Sequence, residues 1–121
     1  MENQRKKELK QAFKMQPTFY GVVQIKNNVN GKIFIDAVAN LKNRWQFYQL
    51  NLNSGNFGNR ALLADWQEQK GENFSYEVLW EKENAEVKNM KDELRHLKKS
   101  WLEQLQPFEE AGYHQRRELD K

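Results

Sequence analysis

The sequence predicts an α/β domain of the α+β type, a three-stranded antiparallel sheet flanked by helices with one further helix at the amino terminus. Three observations carry this. Two aromatic and β-branched runs, residues 19–26 and 32–38, flank the turn signal Asn27-Asn28-Val29-Asn30-Gly31; Asn and Gly tolerate the left-handed backbone that a hairpin needs. A third run alternates Phe74, Tyr76, Val78 and Trp80 with Ser75, Glu77 and Glu81, as a strand with one apolar face does. Finally, Val87, Met90, Leu94, Leu97, Trp101 and Leu105 recur at three- and four-residue steps up to Pro107, an apolar helical stripe able to cover such a sheet.

The remaining elements follow in order. Residues 1–17 are rich in helix formers, place Leu9, Ala12 and Phe13 on one side and stop at Pro17, so a basic helix docked on the domain is expected there. After the hairpin, a helix with Asn40 as its cap carries Leu41, Trp45, Tyr48 and Leu52 and stops at Gly55. A shorter helix over 60–70, capped by Asn59 and ended by Gly71, carries Leu62, Leu63 and Trp66. Beyond Pro107 the chain reads as loop to His114, and 115–121 as a frayed charged tail.

A chain of 121 residues accommodates one domain. Its 38% hydrophobic and 12% aromatic content supports a packed core despite 31% charged residues. The absence of cysteine excludes disulfides and thiolate zinc sites and fits a reducing, cytoplasmic compartment. No apolar stretch approaches the length of a membrane span, and no signal peptide is visible, so no membrane partner is expected. The net charge of +3 is local: Arg5, Lys6, Lys7, Lys10 and Lys14 against Glu2 and Glu8 hold all of it, while residues 18–121 balance 15 basic with 15 acidic groups. Charge alone therefore describes a solvated helix face as readily as a nucleic-acid surface.

Specific words narrow the fold. Tyr-Gly-Val-Val-Gln-Ile-Lys-Asn (20–27), Asn-Gly-Lys-Ile-Phe-Ile-Asp (30–36) and Asn-Leu-Lys-Asn-Arg-Trp (40–45) resemble the strands and first helix of the GIY-YIG nuclease domain. Leu63-Ala64-Asp65-Trp66, Lys70 to Phe74, Trp101-Leu102 and Pro107 to Tyr113 extend the resemblance over 18–114. It implies phosphodiester hydrolysis with one divalent metal, Mg or Mn, held by a helix Glu, with two strand Tyr, an Arg and often a His and an Asn around it. Chemically, a hard cation takes carboxylate and water ligands and stabilises the leaving oxygen, while Arg matches phosphate geometry.

Carried over position by position, the resemblance leaves little of that site. The GIY tyrosine falls on Val23 and the YIG tyrosine on Phe34, neither with a hydroxyl. The glycine after the latter becomes Asp36, the helix Arg is kept as Arg44, and a common His becomes Tyr48 one turn on. The metal-binding Glu, three residues before the helix Trp, falls on Lys98, whose ammonium repels a cation, and the closing Asn on His114. Asp36 is the one new carboxylate near the mapped site, a weak metal candidate, and His96 and His114 lack zinc-ligand spacing. The expectation is an inactive GIY-YIG-like module with no cofactor, binding DNA or RNA through Arg44, Lys98, Lys42 and Lys32. An active Mg- or Mn-dependent endonuclease with a remodelled site, and a protein-interaction or scaffolding module, stand as the alternatives.

Overall fold

The computed structural model describes residues 17–85 and 87–120, so the helix expected over 1–17 falls, up to residue 16, outside the described residues. Strand β1 (Phe19–Asn27) and strand β2 (Ile33–Val38) form the predicted hairpin, with Val23 opposite Asp36 and Ile25 opposite Phe34. The turn closes through Gly31 N–H to Asn27 O (2.8 Å), with Gly31 at φ 78°, where a side chain would be strained. Strand β3 (Phe74–Glu83) pairs antiparallel with the other edge of β1, giving the order β2-β1-β3. Among the described residues no helix is long and apolar enough to cross a membrane.

Helix α1 (Arg44–Ser54) begins three residues later than expected, with Asn43 in the cap position in place of Asn40. Asn40 does not cap it; its Oδ1 accepts from the Lys42 amide (2.9 Å) in a local turn. Leu41 N–H donates to Phe19 O (2.9 Å), tying this linker to β1, and Asn43 takes a left-handed φ of 56° before the helix can start. Helix α2 (Arg60–Glu68) starts as predicted, Asn59 Oδ1 accepting from Leu62 N–H (3.0 Å). Helix α3 (Met90–Leu105) is capped by Asn89 at the Asp92 amide (3.2 Å), so Val87 lies ahead of it rather than on its stripe.

The sheet buries both faces. Val23, Ile25, Phe34 and Val38 pack against Tyr48 and Leu52 of α1 and Leu62 and Trp66 of α2. The opposite face carries Tyr20, Val22 and Ile35, and α3 lies against β2 and β1, lining a groove with Tyr20 through Glu93 and His96. The third strand does not present one apolar face, as its alternation suggests. Register shifts between Val22 and Val23: Val22 faces Trp80 but Val23 faces Val78, leaving Leu79 without a partner. One extra residue inverts a period-two pattern. Phe74 and Tyr76 therefore meet Trp66 (4.9 Å) and Trp45 (5.3 Å), whereas Trp80 meets Tyr20 (5.5 Å) on the other side. Val78, at 38% exposed, is only partly covered. At this point the two backbones close in: a Cβ on Gly21 would stand 2.1 Å from the Trp80 carbonyl oxygen.

After α3 the chain returns along β2. Pro107 is buried, a 3-10 turn spans Glu109–Ala111, and Tyr113 N–H donates to Ile33 O (3.0 Å). The segment expected to fray after His114 instead forms a second 3-10 turn, Arg116–Asp120, because Glu118 reaches back to His114 and to the Gln115 amide.

Candidate functional site

The residues singled out by sequence collect where β2, α1 and the returning segment meet. Asp36 leaves β2 on the face toward α1. Its Oδ2 accepts from the Tyr48 hydroxyl (2.5 Å) and lies 4.0 Å from an Arg44 guanidinium nitrogen. Arg44, first residue of α1, stacks its guanidinium over Phe47 (4.2 Å) and near Tyr48 (5.0 Å), and its Nε is buried without a partner among the described residues. Burial, then the Asp36 charge, pushes the Tyr48 hydroxyl far above the ordinary tyrosine value of 10.0, so it acts here as a fixed donor.

Phe34 replaces hydrogen bonding with packing. Its ring stacks on His114 (5.1 Å, 11° between planes) and meets Phe57 edge-on at 5.4 Å. Val23 is fully buried beside it. His114, also buried, accepts the Ile35 amide at Nε2 (2.8 Å), so the proton sits on Nδ1 and is shared with Glu118 Oε1 (3.2 Å). Burial lowers the His114 pKa, Glu118 opposes this, Lys98 adds to the lowering, and Asp36 opposes it. Lys98 thus acts on the His114–Glu118 side, and Asp36 with Arg44 on the other. No described contact joins Arg44 to Lys98.

The two outlying basic candidates stand apart from this cluster. Lys32, half-buried on the hairpin, holds its ammonium 5.8 Å from the Tyr113 ring centroid. Lys42 is exposed in the turn before α1. Several residues that hold the site together stand outside the catalytic positions the resemblance implies. Tyr113 O–H donates to Asp65 Oδ2 (2.7 Å) and accepts from buried Asn27 Nδ2 (3.1 Å), while its carbonyl accepts from Asn59 Nδ2 (2.8 Å). Glu118 lies in what reads as a solvated tail, and Phe57 in a loop; neither position stands out from its neighbours along the chain.

The metal that the resemblance implies does not fit this donor set. Among the described residues no three His, Asp or Glu side chains converge. Asp36 already binds a hydroxyl and faces a guanidinium, Glu118 is taken by His114 and a backbone amide, and Lys98 presents an ammonium. A cation at Asp36 would have a single carboxylate, already shared with the Tyr48 hydroxyl, beside a fixed positive charge.

No protein-family model matches the chain, and no curated protein does. Two solved structures do resemble it. A mutant form of the catalytic domain of the intron endonuclease I-TevI superposes with a TM-score of 0.61 at 23% identity, covering 73% of this chain and 84% of that one. The catalytic domain of the homing endonuclease I-TevI gives a TM-score of 0.61 at 22% identity, covering 78% and 95%. The fold is that of the GIY-YIG nucleases. In this GIY-YIG scaffold the retained positions have packing reasons. Gly21 leaves room for β3, Asn27 anchors the closing loop, and Trp45 sits between Tyr76 and Trp66. The departures also pair: Asp36 and Tyr48, each different from the family's expected residue, are bonded to one another.

Proposed function

We propose that this domain is a GIY-YIG-fold module that binds nucleic acid through its basic cleft without cutting it. The observation that carries the reading is the state of Asp36. The carboxylate at the mapped centre is engaged by Tyr48 and Arg44, and neither strand position supplies a hydroxyl. A proton relay and a cation are thereby both without residues to serve them. Arg44 retains a planar fork suited to a phosphate, and Lys98 adds a point charge where the family has a carboxylate. Lys42 and Lys32, which stand apart from that cluster, would serve as outlying phosphate contacts.

The test is a pair of measurements on the full chain. Plasmid nicking with Mg or Mn is expected to stay at background; nicking abolished by Arg44→Ala would instead establish the active endonuclease. Duplex or branched DNA is expected to shift at low salt and to lose affinity in Arg44→Ala and Lys98→Ala. A shift indifferent to both substitutions sinks the cleft as the binding surface.

A protein-interaction role has one specific observation in its favour. Phe47 and Leu50, one turn apart on α1, are 47% and 69% exposed beside Arg44. Concentration-dependent association removed by Phe47→Ser with Leu50→Ser, and no DNA shift, would select that reading.

A further inference from the structure

We infer that a bound nucleic-acid backbone runs past the cleft along a basic band, from the outer face of α3 across the carboxy-terminal turn to the start of α2. This rests on the nucleic-acid reading above and extends it from Lys98 to Arg95, Lys99, Arg60 and Arg117, which hold none of the catalytic positions the resemblance implies.

Two neighbouring grooves share Glu118 as a wall. The first is otherwise lined by Arg95, Lys98, Lys99 and Leu102. The second includes Asn59, Arg60, Tyr113, Gln115 and Arg117. Five cations thus border the two grooves against a single carboxylate. That carboxylate is turned into the fold: one oxygen takes His114 Nδ1–H (3.2 Å) and the other the Gln115 amide (2.5 Å). Lys98, Lys99, Arg60 and Arg117 make no ion pair among the described residues, and Arg95 shares only Asp92 (3.0 Å).

The charge balance differs between the grooves. The groove that α3 forms with β3 collects Glu83, Asp92 and Glu93, against Lys82 and Lys88. Within a chain balanced in charge over 18–121, the two grooves that share Glu118 are the more basic. Arg60 is informative by its place. It opens α2, whose first turn has no acidic residue, so its charge opposes the helix dipole and does not serve helix stability. On α3, Arg95 lies three and four residues from Lys98 and Lys99, which sets their charges on one face. Spaced cations along adjoining grooves suit a regularly charged polyanion, and nucleic-acid backbone contacts are made by such side chains.

The experiment measures anisotropy of a short labelled duplex with the full chain across a salt series. The variants are Arg60→Gln with Arg117→Gln, Lys99→Gln, and Arg44→Ala for the cleft; thermal melts confirm that each folds. Arg60 and Arg117 are both exposed, so their replacement leaves the core intact. Losing two phosphate contacts is expected to lower the log–log salt slope by about 1.8, which shrinks the affinity loss between about 50 and 200 mM salt roughly 10-fold. Lys99→Gln is expected to lower the slope by about half as much. Wild-type slope and affinity in both band variants, with binding lost in Arg44→Ala, overturn the band and leave the cleft standing. Absence of wild-type binding at low salt overturns band and cleft together. Capture by phosphatidylserine vesicles without duplex binding overturns the inference in favour of a membrane surface.

Discussion

The Ile35 amide donates to His114 Nε2 at 2.8 Å, a bond between β2 and a residue 79 positions away that fixes the imidazole as the neutral Nδ1–H tautomer. With that nitrogen committed to accepting, a proton added to His114 would set two donors against each other. Burial lowers its pKa from 6.5 in the same sense. Below 6.5 the unfolded chain takes up a proton that the folded chain refuses, so stability falls as pH drops from 7 toward 5. Glu118, held below 4.5 by the Gln115 and His114 hydrogen bonds despite its burial, adds a loss of the same sign in more acid solution. His114→Ala is expected to cost about 1–3 kcal/mol near neutrality, by leaving the Ile35 amide unpaired. Its unfolding free energy is also expected to fall less steeply than that of the wild type over this pH range. Equal slopes in denaturant titrations at pH 5 and 7 would refute the linkage.

Asp36 and Tyr48 form a mutually dependent pair. A double-mutant cycle on Asp36→Asn and Tyr48→Phe is expected to give a coupling of about 1–3 kcal/mol, as for a hydrogen bond to a charged group. Additive effects in chemical denaturation would mean that the bond is absent in solution.

No tyrosine in this domain is available as an acid or base near neutral pH. All four are displaced upward from 10.0 by burial first, Tyr113 to about 12; neighbouring carboxylates add to this at Tyr20, Tyr48 and Tyr113, whereas Arg44 opposes it at Tyr76. An absorbance titration at the tyrosinate band is therefore expected to show no half-conversion at pH 10. A tyrosine titrating at or below its ordinary value would reopen the question of a proton relay.

Gly21→Ala is expected to destabilise the domain by about 1–3 kcal/mol or more, since the added carbon meets β3 backbone rather than a side chain that can rotate away. Amide exchange should quicken first along the β1–β3 ladder. A variant with wild-type stability would show that the bulge relaxes freely.

Much of the scaffold is written locally. Asn27 to Gly31 specify a hairpin through turn chemistry, the three- and four-residue steps from Met90 to Leu105 specify α3, and Asn59 caps α2 where expected. These signals act over one or two turns of chain, so they survive in a single sequence, and their order together with the GIY-YIG-like words was enough to specify the fold. The substitutions Val23, Phe34 and Lys98 are legible for the same reason.

What they do together was decided by tertiary structure alone. One unpaired residue, Leu79, sends Trp80 to the face opposite Tyr76, and alternation along the strand gives no sign of it. The start of α1 waits for a linker tied to β1, so Asn40 loses the capping role its type suggests. Asp36 reads as an isolated carboxylate until Tyr48 is seen to hold it, and 115–120 as a loose tail until Glu118 meets His114. The sequence by itself determined the scaffold and, through the resemblance, that Val23, Phe34 and Lys98 stand where hydroxyls and a carboxylate are expected. Tertiary structure decided which groups remain available, because hydrogen bonds and charge between distant segments depend on three-dimensional approach, which no local pattern records.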